Sequence, residues 1–243
     1  MARMARLAGA TRTTRIICLA NSWKRREHCI AGIDPATGRW VRPVTDTPDG
    51  SVPRYARLIY GAEPALLDIL VIPLAPAGPD FGFECENRLI LPGTWRRAGR
   101  ARPRDVLRYC ADDDGILHTP GPFVPLPFLR ALPPARRCSL QLVETVKFAA
   151  RQSGQRDNGM NKWQGALVTR AGQQLIARIT DPVLVLRLEA GDEPSDHCLV
   201  TVSLSLPWRP YEREEERCYK LIAGVIDLVP KAAPVLDLSD VPF

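Results

Sequence analysis

The sequence predicts a mostly β chain folded as two small barrels in tandem, joined by a short helical, proline-rich connector, and three observations carry that prediction. Short β-branched runs bounded by polar or turn residues recur along the chain, as in Arg15-Ile16-Ile17-Cys18-Leu19-Ala20 and His28-Cys29-Ile30-Ala31-Gly32-Ile33. This is the pattern of strands buried on at least one face. The runs fall into two groups, and the stretch between them differs in kind, with proline concentrated over residues 120–134. Finally, 243 residues of which 45% are hydrophobic and 25% charged suffice for two cores and argue against wholesale disorder.

Taken in order, residues 1–14 form a basic stretch without the apolar region of a secretory signal, and are expected to be a disordered arm. The first domain is expected over 15–136, connector included, with strands at 15–20, 28–34, 39–44, 66–73 and 87–91. Between its second and third strands, Asp34-Pro35-Ala36-Thr37-Gly38 supplies proline for a fixed φ and glycine for a positive one, so the chain should turn back sharply. The loop over 45–64 is long for a compact barrel, hence functional or mobile. Pro103 opens a helix-compatible run through Cys110, Asp112-Asp113-Asp114-Gly115 reads as a turn, and 127–132 reads as a helical turn stopped by Pro133 and Pro134. The second domain is expected over 137–243, with strands at 139–149, 163–170, 173–180, 183–188, 197–205 and 217–229. Ala171-Gly172 punctuates a hairpin there, and Asp181-Pro182 interrupts strand pairing. Five or so strands per group is the count an OB-type barrel requires.

Composition narrows the function classes. The net charge of +6, with the unbalanced arginines concentrated in the N-terminal quarter, favours an anionic partner, although arginine-rich usage also accompanies high-GC genomes. Seven cysteines without a Cys-x-x-Cys pair fit a reducing cytoplasm. No stretch approaches the roughly 18 to 20 apolar residues needed to span a bilayer. Sequence signatures for phosphate loops, dinucleotide binding, serine hydrolases and zinc proteases are missing. His28-Cys29 and His197-Cys198 hold zinc-type ligands, but adjacent strand residues point to opposite faces, so no metal and no cofactor is expected.

The segment over 16–44 carries a resemblance. Cys18-Leu19-Ala20-Asn21-Ser22 with Lys24, then Cys29-Ile30-Ala31-Gly32-Ile33-Asp34, then Thr37-Gly38-Arg39-Trp40-Val41-Arg42-Pro43-Val44, resemble the N-terminal motif of the dual OB domain family, associated with prokaryotic conflict and defence loci. Later blocks match as well, among them Glu86-Asn87-Arg88-Leu89-Ile90, Lys162-Trp163, Thr180-Asp181-Pro182 and Cys218-Tyr219-Lys220-Leu221. The resemblance implies two OB-like barrels and a role in nucleic-acid or nucleotide binding. Arg88 stands where an aromatic is expected after Glu-Asn, which counts against stacking at that position.

The candidate nucleic-acid contacts follow from residue type and strand alternation. Asn21, Ser22, Lys24 and Arg25 lie in a polar, cationic loop suited to phosphates and sugars, with Asn21 equally able to hold the loop's own shape. Arg39 precedes Trp40 and Arg42, which share one face of the third strand. That pair is either a stacking and phosphate platform or a barrel plug beside an exposed cation. Asn87 joins the set from its block. In the second half, Asn158-Gly159-Met160-Asn161-Lys162-Trp163 repeats the recipe of a polar loop ending in a cation and an indole, so Arg151, Arg156, Lys162 and Trp163 form a second candidate surface. Tyr219 and Lys220 alternate faces, so one of the two points away from the core.

The expected function is therefore single-stranded nucleic-acid or RNA binding, as a sensor module of a prokaryotic defence system. Alternatives are a scaffold for a toxin or effector enzyme and an enzyme on modified nucleotides using Asp181 and Lys220. The partners expected are nucleic acid and an effector protein, with no membrane.

Overall fold

The computed structural model describes residues 13–24, 27–111, 115–155, 161–212 and 214–228. The first barrel is built from β1 (Thr13–Lys24), β2 (Glu27–Ile33), β3 (Trp40–Val44), a single-turn helix α1 (Arg54–Arg57), β4 (Asp68–Pro73), β5 (Asn87–Leu89) and β6 (Arg96–Arg100). Its sheet runs β5-β3-β2-β1-β4-β6, and only β3–β5 is parallel. A bridge between Leu74 and Ile90 draws the chain beyond β5 toward the chain beyond β4, so the sheet curls into a half-barrel.

β1 explains the shape. Its first half pairs with β4 and its second with β2, and the change of partner is marked by a bulge between Cys18 and Ala20. Gly32 lies opposite the bend, where a Cβ would meet the Ile17 carbonyl oxygen at 2.1 Å. Along β1, Ile16 and Cys18 face the interior with Ile30, Val41, Leu70, Ile72 and Trp95, while Ile17 and Leu19 face outward. The run is apolar throughout because both of its faces are buried. The turn after β2 forms as its residues dictate: Asp34 accepts from the Ala36 N–H at 2.9 Å and the Thr37 hydroxyl at 3.1 Å, and Gly38 adopts φ +69°.

A helical turn α2 (Pro103–Val106) opens the connector, which continues through β7 (Phe123–Pro125) and α3 (Leu126–Ala131). The second barrel follows with β8 (Leu140–Gln155), β9 (Asn161–Thr169), β10 (Gln174–Ile179), α4 (Pro182–Glu189), β11 (Cys198–Leu204) and β12 (Arg217–Asp227). β8, β9 and β10 form an antiparallel meander, β10 pairs in parallel with β12, and β11 links β12 back to β8. That ring of five strands, with a helix between the third and fourth, is a closed OB-type barrel. Phe148, Leu167, Leu175, Ile179, Val200 and Ile222 fill it. Gly165 is required inside, since a Cβ there would lie 2.6 Å from Ile222 Cδ1. β7 adds a strand to the outer side of β12, and Leu126 and Leu129 of α3 pack into this same core.

One expected strand is a helix. Residues 183–188 were predicted extended, yet Asp181 caps α4 by accepting from the Val183 and Leu184 N–H groups at 2.9 and 3.1 Å, with Pro182 at the first helical position. Asp followed by Pro is a helix-start signal as much as a strand breaker, and Leu184, Val185 and Leu188 are the residues that α4 buries. β6 and β7 were not predicted, because Arg96–Arg100 is polar and wholly exposed and Phe123–Pro125 is only three residues long.

The barrels dock back to back. Ile17, Leu19 and Ile33 on the outside of the first pack with Leu142, Leu199 and Ile226 on the outside of the second, and Ala20 and Ala31 meet Leu140 and Ala223. The approach is close enough that the Thr201 hydroxyl donates to the Leu19 carbonyl at 2.6 Å, and a Cβ on Gly224 would lie 2.5 Å from that same oxygen.

Candidate nucleic-acid interface

At the tip of the first barrel, Trp40 and Arg42 turn toward the second barrel. Trp40 and Arg42 do share a face, as alternation requires, but this is the face on which the second barrel sits. Trp40 is half-buried against both inter-barrel clusters. Arg42 is 1% exposed; its guanidinium pairs with Glu84 at 2.7 Å and Glu86 at 3.3 Å, and donates to the Ser139 hydroxyl at 2.8 Å, which in turn donates to Glu86. Burial alone would weaken the hold on Arg42's proton, but the flanking Glu84 and Glu86 carboxylates more than offset it, so the cation is held above its ordinary value. Burial pushes the Glu86 carboxyl up. Arg42 is therefore corrected from phosphate contact to the centre of a buried charge network between the barrels.

Other predicted contacts also turn inward. Asn21 is buried, donating to the Pro64 carbonyl at 2.7 Å and bonding His28 Nδ1 at 2.5 Å, so it holds the shape of β1 and its neighbours. Ser22 is buried within the β1–β2 ladder opposite Cys29. Asn87 is sealed, donating to the Pro79 carbonyl at 2.7 Å and to Glu84 at 2.8 Å. Lys220 is 2% exposed and its ammonium donates to the Thr119 carbonyl; burial lowers its pKa to about 8. Trp163 packs against the core of the second barrel, so its ring plugs that barrel. A buried polar group requires a partner, and each of Asn21, Asn87 and Lys220 has found one in its own fold. Arg25 and Arg156 lie outside the described residues, and of Lys24 only the backbone is described. Arg39 and Arg151 are exposed, Lys162 is partly so, and Tyr219 is half-buried.

The structure brings together a surface that the sequence reading touched only at Arg151, Lys162 and Tyr219. In the β8–β9–β10 meander, Phe148, Gly165, Leu167, Leu175, Ala177 and Ile179 are buried, so the alternate residues face outward. The pairings set these in rows: Arg151, Gln164 and Arg178 in one, Ala149, Ala166 and Ile176 in the next, Lys147, Val168 and Gln174 in the third. Lys162 begins the same face on β9. None of these positions carries a carboxylate, and Ile176 is 54% exposed at the centre. Arg151 bonds the neutral Gln164 side chain at 3.3 Å.

The face continues past β10. Arg178 lies beside Leu221 of β12, and two residues earlier on the same side stands Tyr219, paired with Phe123 of β7. The Phe123 and Tyr219 rings are 5.8 Å apart, Tyr219 and Trp208 are 5.9 Å apart, and the Arg217 guanidinium lies 4.4 Å over Phe123. Trp208 is 56% exposed. Strand pairing had to be known before Phe123, Trp208 and Arg178 could be seen as neighbours of Arg151; the alternation Lys147, Ala149, Arg151 was the one local signal available.

A cleft of about 590 Å³ also opens between the barrels, with Asn21, Arg100, Arg102, Asp181, Arg187 and Asp227 set among apolar residues. Its charges are already engaged. Arg100 pairs with Asp68 at 3.2 Å, Arg102 with Asp105 at 2.9 Å, and Arg187 with Asp192 and Asp227 at 2.6 and 2.9 Å. Asp181 accepts a further bond from the Val225 N–H at 3.3 Å, and burial raises its carboxyl to about 6. Asp181 and Lys220, the pair considered for catalysis, are each committed to structural bonds.

Comparison with curated proteins and with solved structures returns no match. The description of the dual OB-containing domain matches residues 14–225, nearly the whole of both barrels and the connector. The chain, with a half-barrel and a closed five-stranded barrel docked back to back, belongs to the dual OB-containing domain family.

Proposed function

We propose that this protein is a nucleic-acid-binding module whose contact surface is the outer face of the second barrel, taking a single strand or RNA across β8, β9 and β10 toward β12 and β7. The observation that carries the reading is the open meander face bearing Lys147, Arg151, Lys162 and Arg178, whose three cross-strand rows hold no carboxylate; Glu144, further back on β8, is paired with Arg170 at 3.2 Å. OB barrels present their second and third strands to oligonucleotides, and here those are β9 and β10. Cations follow the backbone, and exposed rings accept bases that a single strand leaves unpaired. Trp208, backed by the half-buried Tyr219 and Phe123, supplies such a ring at the far end of the face. A sensor role in a prokaryotic defence system is the setting that the family resemblance supports.

The test is fluorescence anisotropy with labelled single-stranded DNA, single-stranded RNA and duplex over a salt series. Arg151→Ala with Arg178→Ala should weaken single-strand binding and lower the slope of log K against log salt by about 1.4, at roughly 0.7 per lost phosphate contact. Binding that is indifferent to both salt and this double variant removes the reading. A protein partner captured with no oligonucleotide affinity at all would instead favour the scaffold.

A further inference from the structure

We infer that Cys138 is a nucleophilic thiol, set beside the His118 imidazole as a modification site for small soft carbon electrophiles. Cys138 Sγ lies 3.4 Å from His118 Nε2, and that nitrogen lies 2.8 Å from the carbonyl oxygen of Cys138 itself. A carbonyl can only accept, so Nε2 carries a hydrogen that it donates there, and the sulfur lies beside that N–H as a second, longer contact. A thiolate accepts such a bond far better than a thiol, so the arrangement favours the reactive form.

The pair is built, not incidental. Leu117 and His118 both adopt positive φ, +46° and +74°, which non-glycine residues rarely take. The turn is pinned by the Leu117 N–H donating to Gln141 Oε1 at 2.6 Å, and Phe128 stands edge-on to the imidazole with ring centroids 6.3 Å apart. Both Cys138 and His118 are half-buried, with Cys138 at the margin of the second barrel's core. Burial pushes Cys18, Cys110, Cys198 and Cys218 up to about 12 and raises Cys85 as well. Cys29 is half-buried and serves as an internal reference.

In the reaction, the sulfur forms a bond to the electrophilic carbon, the bond from that carbon to its leaving group breaks, and the leaving group departs with the electron pair. The thiol proton passes to solvent. The adduct sits one residue from Ser139, whose hydroxyl joins Arg42 to Glu86, so a modification here lies at the joint between the barrels.

Timed alkylation of the full chain with iodoacetamide, read out peptide by peptide by mass spectrometry from pH 5 to 10, tests the inference. Cys138 should be alkylated at least tenfold faster than Cys29 or Cys85, with its rate inflecting at lower pH than that of an ordinary thiol. His118→Gln should slow Cys138 alone and move its inflection up into the ordinary thiol range, and Cys138→Ser should remove the fast adduct. Equal rates at Cys138 and Cys29 in the unmodified chain would overturn the inference without recourse to any variant. So would a Cys138 profile unchanged by His118→Gln.

Discussion

The outer faces of β1–β2–β3 and of β8–β9–β10 occupy the same place in their two barrels, yet the first is sealed and the second, beyond Leu140 and Leu142 at the start of β8, is open. The first carries Ile17, Leu19, Ile33, Trp40 and Arg42 and is covered by the second barrel. The second carries Lys147, Ala149, Arg151, Gln164, Ile176 and Arg178 and faces solvent. In the docked pair the meander face of one barrel serves as adhesive, and most of that of the other stays exposed. The consequence is that equal-looking residues, such as Arg42 and Arg151, have opposite surroundings, one buried among carboxylates and one in solvent.

The sharpest way to break this comparison is at Arg42. Arg42→Ala leaves Glu84 and Glu86 buried without their cation and should cost about 3 to 5 kcal/mol in urea denaturation, since stranding a buried charge is far worse than losing an exposed one. Arg151→Ala should change stability by less than about 0.5 kcal/mol in the same assay. If the two variants prove equally mild, the back-to-back joint is wrongly understood.

The open face is probed by its rings. Trp208→Ala should cost about 1 to 3 kcal/mol of single-strand affinity with little loss of fold, because the indole is exposed. Trp40→Ala, by contrast, should lose stability first, and its affinity only through that loss.

Lys220 gives a pH-dependent test of the sealed interior. Its folded-state pKa is lowered from 10.5 to about 8, so the unfolded chain binds more protons between those values, and this group's contribution to stability rises as pH climbs from about 8 to 10.5. At pH 7 the buried charge is a net cost. Lys220→Met should accordingly stabilise by about 1 to 2 kcal/mol at pH 7, after the loss of the bond to the Thr119 carbonyl, with the advantage shrinking through that alkaline window.

The smallest expected effect is at the α4 cap. Asp181 has its carboxyl raised from 3.8 to about 6, so the native state binds the extra proton between those values and the group contributes less as pH rises through that window. Asp181→Ala should cost about 1 kcal/mol at pH 7 and more at pH 5, measured by thermal unfolding at both.

Much of this was legible beforehand because strand residues announce themselves locally. The alternation and β-branched runs of β1 to β4 and β8 to β12 placed the strands to within a few residues, with β1 and β8 running longer than expected. The Asp34 turn formed as its Pro and Gly require. At α4 the reading failed because Val183, Leu184, Val185, Leu186 and Leu188 are apolar enough to suit either a strand or a short buried helix, and Asp181-Pro182 decides in favour of the helix only if read as a cap. The site was less legible. Cation and indole together look the same whether they meet a phosphate or a buried glutamate, and Glu84 and Ser139 lie 42 and 97 residues from Arg42 in the chain.

By itself, the sequence determined the elements and the pairing of strands near one another in the chain, since alternation, turn chemistry and β-branching act over a few residues. Only the tertiary structure decided which polar side chains meet water. That depends on which outer face a second barrel covers, and the docking is set by shape and apolar contact summed over many distant residues, a quantity no local pattern encodes.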